Sequence, residues 1–406
     1  MKTPLAVAAL LGLAREGLGL PAEPLPNPPP DWSPIIELAR RNGLAPLLEA
    51  GLRRRNLPAP PQLLQALRKH RLAAELWHER AGEQLEEALF ALNERGLEPI
   101  LLKGARLATA YYPSPGLRPY GDLDLLVSPR ERCCAAEALV ELGYAGDFDR
   151  PGRGRQYWLT YHHHWGFAHP KRLRIDLHWT LTPPNSSVQF DLEQLRARGR
   201  RLPEWRGRVV GLARQDELAY LAAHLTKHQF RLPLRHFLDL AAISEGESGL
   251  DWPAAWRSAA AAGAEADLSA ALEVAAELGV VRLPEAALAG RARTLSANEC
   301  RSLARYAREW TDFEPPARLL NVGSADTAGG AVRALLSPAI SRLSTREGGA
   351  HGDEAAGPWD HLRRWLRRAP CLIRQIGPLR AAVAIQRRFG NREDLMPPAN
   401  PEPQPK

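Results

Sequence analysis

No run of 18 or more apolar residues occurs anywhere in the chain, so no segment reads as an ordinary membrane-spanning helix. A mean hydropathy of −0.33 points the same way. Cysteine is scarce. Of the four, Cys133 and Cys134 are adjacent, Cys300 and Cys371 stand alone, and no CxxC pair signals a zinc site or a redox couple. That usage fits a reducing cytosol, and a cytoplasmic location is the expectation. There is no internal repeat. The opening Met1-Lys2 with apolar residues from Pro4 to Leu13 imitates a signal peptide only faintly. Arg15 and Glu16 follow without a small-residue cleavage site, and the stretch reads as the first helix of the fold.

What is present is globular in character. The hydrophobic fraction is 45% and the charged fraction 25%, and 406 residues exceed what one compact core usually holds, so two or three packed units are expected. The net charge of +8 comes largely from arginine and suits phosphate or anionic partners, but arginine also accompanies GC-rich genomes without any binding role.

Taken in order, Asp31 or Ser33 caps a helix carrying Ile35, Ile36, Leu38 and Ala39, which Asn42-Gly43 stops. A long helix runs from about Pro61 to Arg95 and ends at Gly96. The period then changes. Pro99-Ile100-Leu101-Leu102 reads as a short buried strand that delivers Lys103-Gly104 at its end, before a helix from Ala105 to Tyr112. In the strand candidate Tyr120-Gly121-Asp122-Leu123-Asp124-Leu125-Leu126-Val127, alternation puts Leu123, Leu125 and Val127 on one face and both acids on the other. A helix over Pro129 to Leu142 follows. The strand candidate Arg174-Ile175-Asp176-Leu177-His178-Trp179 then repeats the alternation, with Arg174, Asp176 and His178 on a common face.

Beyond Asp191 the pattern is mostly helical, over Gln215 to Phe230, Pro233 to Ile243 and Ala254 to Leu278. The expected organisation is an N-terminal helical region at 1–95, a catalytic core at 96–190, a helical domain at 191–322, a flexible linker at 323–358, a basic helical segment at 359–390 and a disordered tail at 391–406. The arginine-rich 359–390 segment could meet an anionic membrane or RNA, although such a run is usually a solvated helix face.

Two acids one residue apart on a strand, joined by a third from a neighbouring strand, can hold the divalent ions that neutralise a triphosphate. A lone Asp-x-Asp is as readily the solvent face of an edge strand. Here Asp122 and Asp124 sit in an otherwise apolar strand, follow a strand-Gly-helix unit and precede Asp176 in the same alternation.

Leu102-Lys103-Gly104-Ala105, Arg118, Gly121-Asp122-Leu123-Asp124-Leu125-Leu126-Val127, Gly143-Tyr144, Ile175-Asp176-Leu177-His178-Trp179 and His224-Leu225-Thr226-Lys227-His228 together resemble the bacterial uncharacterised nucleotidyltransferases of the polymerase-β-like superfamily. The resemblance spans roughly Trp32 to Ile243. It implies an α+β nucleotidyltransferase-like fold, a short mixed sheet flanked by helices, with N-terminal helices and a mostly α-helical C-terminal half. It further implies Mg²⁺ (or Mn²⁺) held by Asp122, Asp124 and Asp176, a nucleoside triphosphate donor bound through Lys103, Gly104 and Arg118, and an acceptor that is a small molecule, peptide, protein or RNA. In the broader superfamily the first strand usually ends in Gly-Gly or Gly-Ser; Ala105 replaces that hydroxyl here, and Lys103 could supply a point charge instead. The departure leaves a second reading open, a non-catalytic nucleotide- or partner-binding module on the same scaffold.

Other candidates carry less. Tyr111 and Tyr112 read as packing residues. If Gln156 to Ala168 is a strand, His162 and His164 point together, as general base or as structure. His178 shares a face with Asp176 and could support a metal-ligating acid. His224 and His228 have zinc-compatible spacing on a helix, but no Glu follows the first and no third ligand is signalled. Contact of Lys227 or His228 with substrate is the stronger use of that segment, with helix-surface polarity as the equal alternative.

Overall fold

The structure, a computed structural model, describes residues 3–23, 25, 31–146, 162–184, 186–228, 230–246, 249–289 and 295–309. The linker, basic segment and tail expected at 323–358, 359–390 and 391–406 lie outside the described residues, as does Cys371. Among the described residues, no helix is long and apolar enough to cross a membrane.

The chain opens with four helices, α1 (Thr3–Gly17), α2 (Trp32–Arg41), α3 (Ala45–Arg54) and α4 (Pro61–Glu94). Asp31 caps α2 by accepting from the Ser33 amide at 3.1 Å. A mixed seven-stranded sheet follows in the order β3-β4-β5-β2-β1-β7-β6. Its strands are β1 (Ile100–Leu102), β2 (Asp122–Leu126), β3 (Ala145–Gly146), β4 (His164–His169), β5 (Arg172–His178), β6 (Arg200–Arg201) and β7 (Val210–Gly211). Between them run α5 (Lys103–Tyr111), a 3₁₀ turn at Pro115–Leu117, α6 (Arg132–Glu141) and α7 (Leu192–Arg198). The C-terminal half supplies α8 (Arg214–Lys227), α9 (Arg235–Glu245), α10 (Trp252–Ala262), α11 (Glu265–Glu277), α12 (Glu285–Ala289) and α13 (Ala297–Glu309).

The expected alternation holds where it matters. Leu123, Leu125 and Val127 from the β2 run and Ile175 and Leu177 of β5 face one side, where they pack with Leu85, Ala88 and Leu89 of α4 and Leu139 of α6. Trp165 and Phe167 of β4 join the same layer. The opposite face carries the acids. β2 and β5 run parallel with Asp124 beside Asp176, while β1 runs antiparallel to β2 with Leu102 beside Asp124.

Two expectations change. The helix expected over Ala254 to Leu278 is two helices, because Gly263 ends α10 in the left-handed conformation at φ 67° and turns the chain into α11. The half read as helical also contributes β6 and β7, with β7 pairing parallel to β1. Two-residue strands are too short to display an alternation.

The sheet and the helical half are joined by a buried charge. Asp239 of α9 accepts from Arg118 Nε at 2.7 Å and Nη2 at 2.8 Å, and from the Tyr112 hydroxyl at 2.7 Å. Arg118 is only 3% exposed and Asp239 1%. Removing one partner of such a pair strands the other charge away from water. Asp239→Ala is expected to destabilise the fold by about 3–5 kcal/mol in chemical denaturation. A loss within about 0.5 kcal/mol, as for a surface substitution, would show that the pair does not join the two halves.

Candidate active site

The site is assembled at the end of β1, where the chain leaves the sheet for α5. Lys103 makes the turn with φ 43°, an uncommon conformation for a residue with a side chain. Gly104 follows because the helix start lies against β2: a Cβ there would meet Tyr120 Cβ at 3.0 Å and the Asp122 carbonyl oxygen at 3.3 Å. Ala105 is buried in the core beneath the sheet.

This turn aims Lys103 at the acids. Its Nζ lies 2.8 Å from Asp124 Oδ1, and His178 Nε2 lies 2.9 Å from the same oxygen. Burial alone would push the Asp124 carboxyl up; Lys103 and His178 outweigh it and hold the group well below the usual carboxylate range. Asp124 is therefore ionised although only 2% exposed. Burial also lowers His178, against the pull of Asp124, so its ring is neutral. A neutral ring facing a carboxylate must present its N–H to it, which places the proton of His178 on Nε2 and leaves Nδ1 with a bare lone pair. That Nδ1 is buried and has no hydrogen-bond partner.

Asp122 differs. Burial, then the charge of Asp124 and to a lesser extent that of Asp176, push its carboxyl up to about 6 against the opposing charges of Lys103 and Arg118. Asp176 is paired with Arg174 Nε at 2.5 Å and has His164 Nε2 at 3.9 Å. The crowding fits a site for a divalent cation, which would relieve the repulsion among the three carboxylates.

The helical half closes over this face. Lys103 Nζ lies 5.9 Å from the centre of the Tyr220 ring on α8. One to two turns on, Lys227 Nζ approaches His163 Nε2 to 3.1 Å. Burial, with Lys103 second, lowers Lys227 to about 7. The ring centres of His224 and His228 lie 4.5 Å apart with the planes tilted by 60°, and that of His236 of α9 lies 6.3 Å from His224.

Of the residues singled out from sequence, Asp122, Asp124, Asp176, Lys103 and Gly104 converge, and His178 joins them through Asp124. Arg118 is placed otherwise: its fork is turned onto Asp239, with Nη1 3.5 Å from the Gly104 carbonyl oxygen. Of the strand expected from Gln156 to Ala168, residues 156–161 lie outside the described residues, and β4 begins at His164, so strand alternation does not extend to His162. Instead His163, His164 and His178 bring one ligand atom each within 4.8 Å of one another. Tyr220 and Asp239 carried no sequence signal; each is one residue in a helix whose partner is about 120 positions away.

A mixed sheet that presents Asp122 and Asp124 from one strand and Asp176 from its parallel neighbour, beside a strand that ends in Lys-Gly and opens a helix, defines a nucleotidyltransferase-like domain. Residues 28–279 match the family described as uncharacterised nucleotidyltransferase, and the chain belongs to that family. No curated protein and no solved structure compared with the chain matches it.

The raised Asp122 carboxyl has a stability consequence. Below about pH 4 the group is protonated in both the folded and the unfolded chain. As pH rises through about 6 the folded protein must ionise it against burial and its neighbours, so the stabilisation held at low pH is lost. In metal-free buffer Asp122→Asn is expected to be more stable than wild type at pH 8 by up to about 3 kcal/mol, the gap closing towards pH 4. Denaturation titrations across that range measure it, and a gap independent of pH would show that Asp122 is not destabilised by ionisation.

Proposed function

We propose that the protein is a divalent-metal-dependent nucleotidyltransferase that moves a nucleoside monophosphate from a nucleoside triphosphate to an acceptor and releases pyrophosphate. The observation that carries this reading is the convergence of Asp122, Asp124 and Asp176 on one sheet face beside Lys103, in a chain of a nucleotidyltransferase family. Mg²⁺ or Mn²⁺ held by Asp122, Asp124 and Asp176 would supply the charge neutralisation a triphosphate needs during transfer. An acceptor oxygen attacks the α-phosphorus, the bond from that phosphorus to the bridging oxygen breaks, and pyrophosphate leaves with the electron pair. Asp176, only partly buried, takes the acceptor's proton.

The Asp124 Oδ1 atom is shared by Lys103 and His178, so Oδ2 is the oxygen left for an ion. Lys103 then has a double role, fixing Asp124 and placing an ammonium near the phosphates. Gly104 keeps the start of α5 open to anions, where helix N–H groups point outward. Arg118, committed to Asp239, acts in this reading by holding α9 against the turn, and its charge bears on phosphates only at a distance. The acceptor would enter beside the end of α8, where Lys227 and His228 are exposed.

A second reading, a nucleotide-binding module without chemistry, is favoured by one observation: the chain's own Lys103 neutralises Asp124. Label transfer separates the two. With labelled ATP, CTP, GTP or UTP, Mg²⁺ or Mn²⁺ and an acceptor panel, wild type is expected to release pyrophosphate. Asp122→Asn and Asp124→Asn are expected to reduce turnover by about 100-fold or more with folding retained. Unchanged turnover in either variant removes the assignment, and nucleotide binding with no transfer to any acceptor assigns the scaffold a binding role.

A further inference from the structure

We infer that His163, His164 and His178 form a second, nitrogen-ligated metal site, of the kind that takes Zn²⁺, beside the carboxylates proposed to hold Mg²⁺. The inference goes beyond the transferase reading and does not depend on it.

The three residues come from two adjacent strands. β4 and β5 pair antiparallel with His164 opposite His178, so those two rings share the acid-bearing face, and His163 enters from the residue just before β4. The ring centres are 4.7, 4.9 and 5.4 Å apart, and one ligand atom from each residue lies within 4.8 Å of the others. Nitrogens around a tetrahedral zinc stand about 3.4 Å apart, as bond lengths near 2.0–2.1 Å require. Side-chain rotation therefore has to close at most about 1.4 Å.

The hydrogen-bonding of the rings is the second observation. His178 gives its Nε2 proton to Asp124 and keeps a bare, buried Nδ1; its side chain is 2% exposed. His164 repeats the arrangement less tightly, with Nε2 3.9 Å from Asp176 Oδ2 and a buried Nδ1 that has no partner. A histidine that ligates a metal through one nitrogen usually directs the other at a carboxylate, which fixes the ring and raises its basicity. Two buried ring nitrogens without a partner are otherwise a loss, because each gives up water for nothing.

The donor set chooses the ion. Three neutral imidazoles suit Zn²⁺, Co²⁺ and Ni²⁺ and are poor ligands for Mg²⁺, which demands oxygen. Three protein ligands leave a fourth position for water or substrate. Against the ion stand the ammonium groups of Lys103 and Lys227; in its favour stand Asp124 behind His178 and Asp176 behind His164.

The test uses the full chain, stripped of metal and then titrated with Co²⁺, read by the visible d–d spectrum and by metal content after gel filtration. Wild type is expected to retain one Co²⁺ per chain with the bands of a four-coordinate nitrogen-rich site, not displaced by millimolar Mg²⁺. His163→Ala and His164→Ala are each expected to raise the dissociation constant by about 100-fold or more, beyond what loss of a merely orienting group costs. Asp122→Asn is expected to bind Co²⁺ as wild type does. Circular dichroism and melting curves check that the variants fold, and His164, partly exposed, is the safer of the two. Absence of retained Co²⁺, wild-type affinity in a folded His164→Ala, or loss of binding in Asp122→Asn with competition by Mg²⁺ would each overturn the site. All readouts are of metal binding, so failure of nucleotide transfer leaves this result legible.

Discussion

An ionised carboxylate with almost no contact with water is the constraint around which this protein is arranged. Asp124 can keep its charge in the interior only because Lys103 and His178 meet the same oxygen. Each partner arrives from a different strand. Lys103 comes at the end of β1, where the backbone accepts a left-handed turn to aim it; His178 is the last residue of β5. The antiparallel pairing of β1 with β2 and the parallel pairing of β2 with β5 are thus what supply the ammonium of Lys103 and the imidazole N–H of His178 that Asp124 needs.

The arrangement propagates outward. Gly104 has to be a glycine for α5 to start against Tyr120 and Asp122, and the same turn is braced by Arg118, which ties it to Asp239 on α9. The helical half is therefore attached at the same place that positions Lys103. Closing α8 over the acid face buries Tyr220, half-buries His224 and lowers the Lys227 ammonium by desolvation. A low-dielectric wall of that kind strengthens every charge interaction in front of it.

Satisfying Asp124 leaves its neighbours unsatisfied. Lys103 and His178 satisfy one carboxylate well, and the remaining crowding falls on Asp122, whose carboxyl rises, and on two imidazoles with unpartnered buried nitrogens. The free protein holds a concentration of unmet donor capacity on one face of the sheet, oxygens on β2 and nitrogens at the junction of β4 and β5. Cations of two chemical types are proposed for that face, one for the oxygens and one for the nitrogens.

Much of this was legible in the residue order. Period-two alternation located the face of Asp122, Asp124 and Asp176, and the switch from a long helical period to a three-residue apolar run located β1 and its Lys-Gly turn, because both signals are local. The two-residue β6 and β7, the break at Gly263 and the turning of Arg118 onto Asp239 were not, since each depends on what another part of the chain offers. The same division holds at the site. Sequence by itself determined which residues share a strand face, since the direction of successive side chains follows from the backbone repeat alone. Only the tertiary structure decided which face meets which partner: that Asp124 is charged and Asp122 strained, that His163 and His178 gather with His164, and that Arg118 holds the fold. Those outcomes are set by distance and burial between residues far apart in the chain, and Coulomb energy depends on separation and solvent, which residue order does not encode.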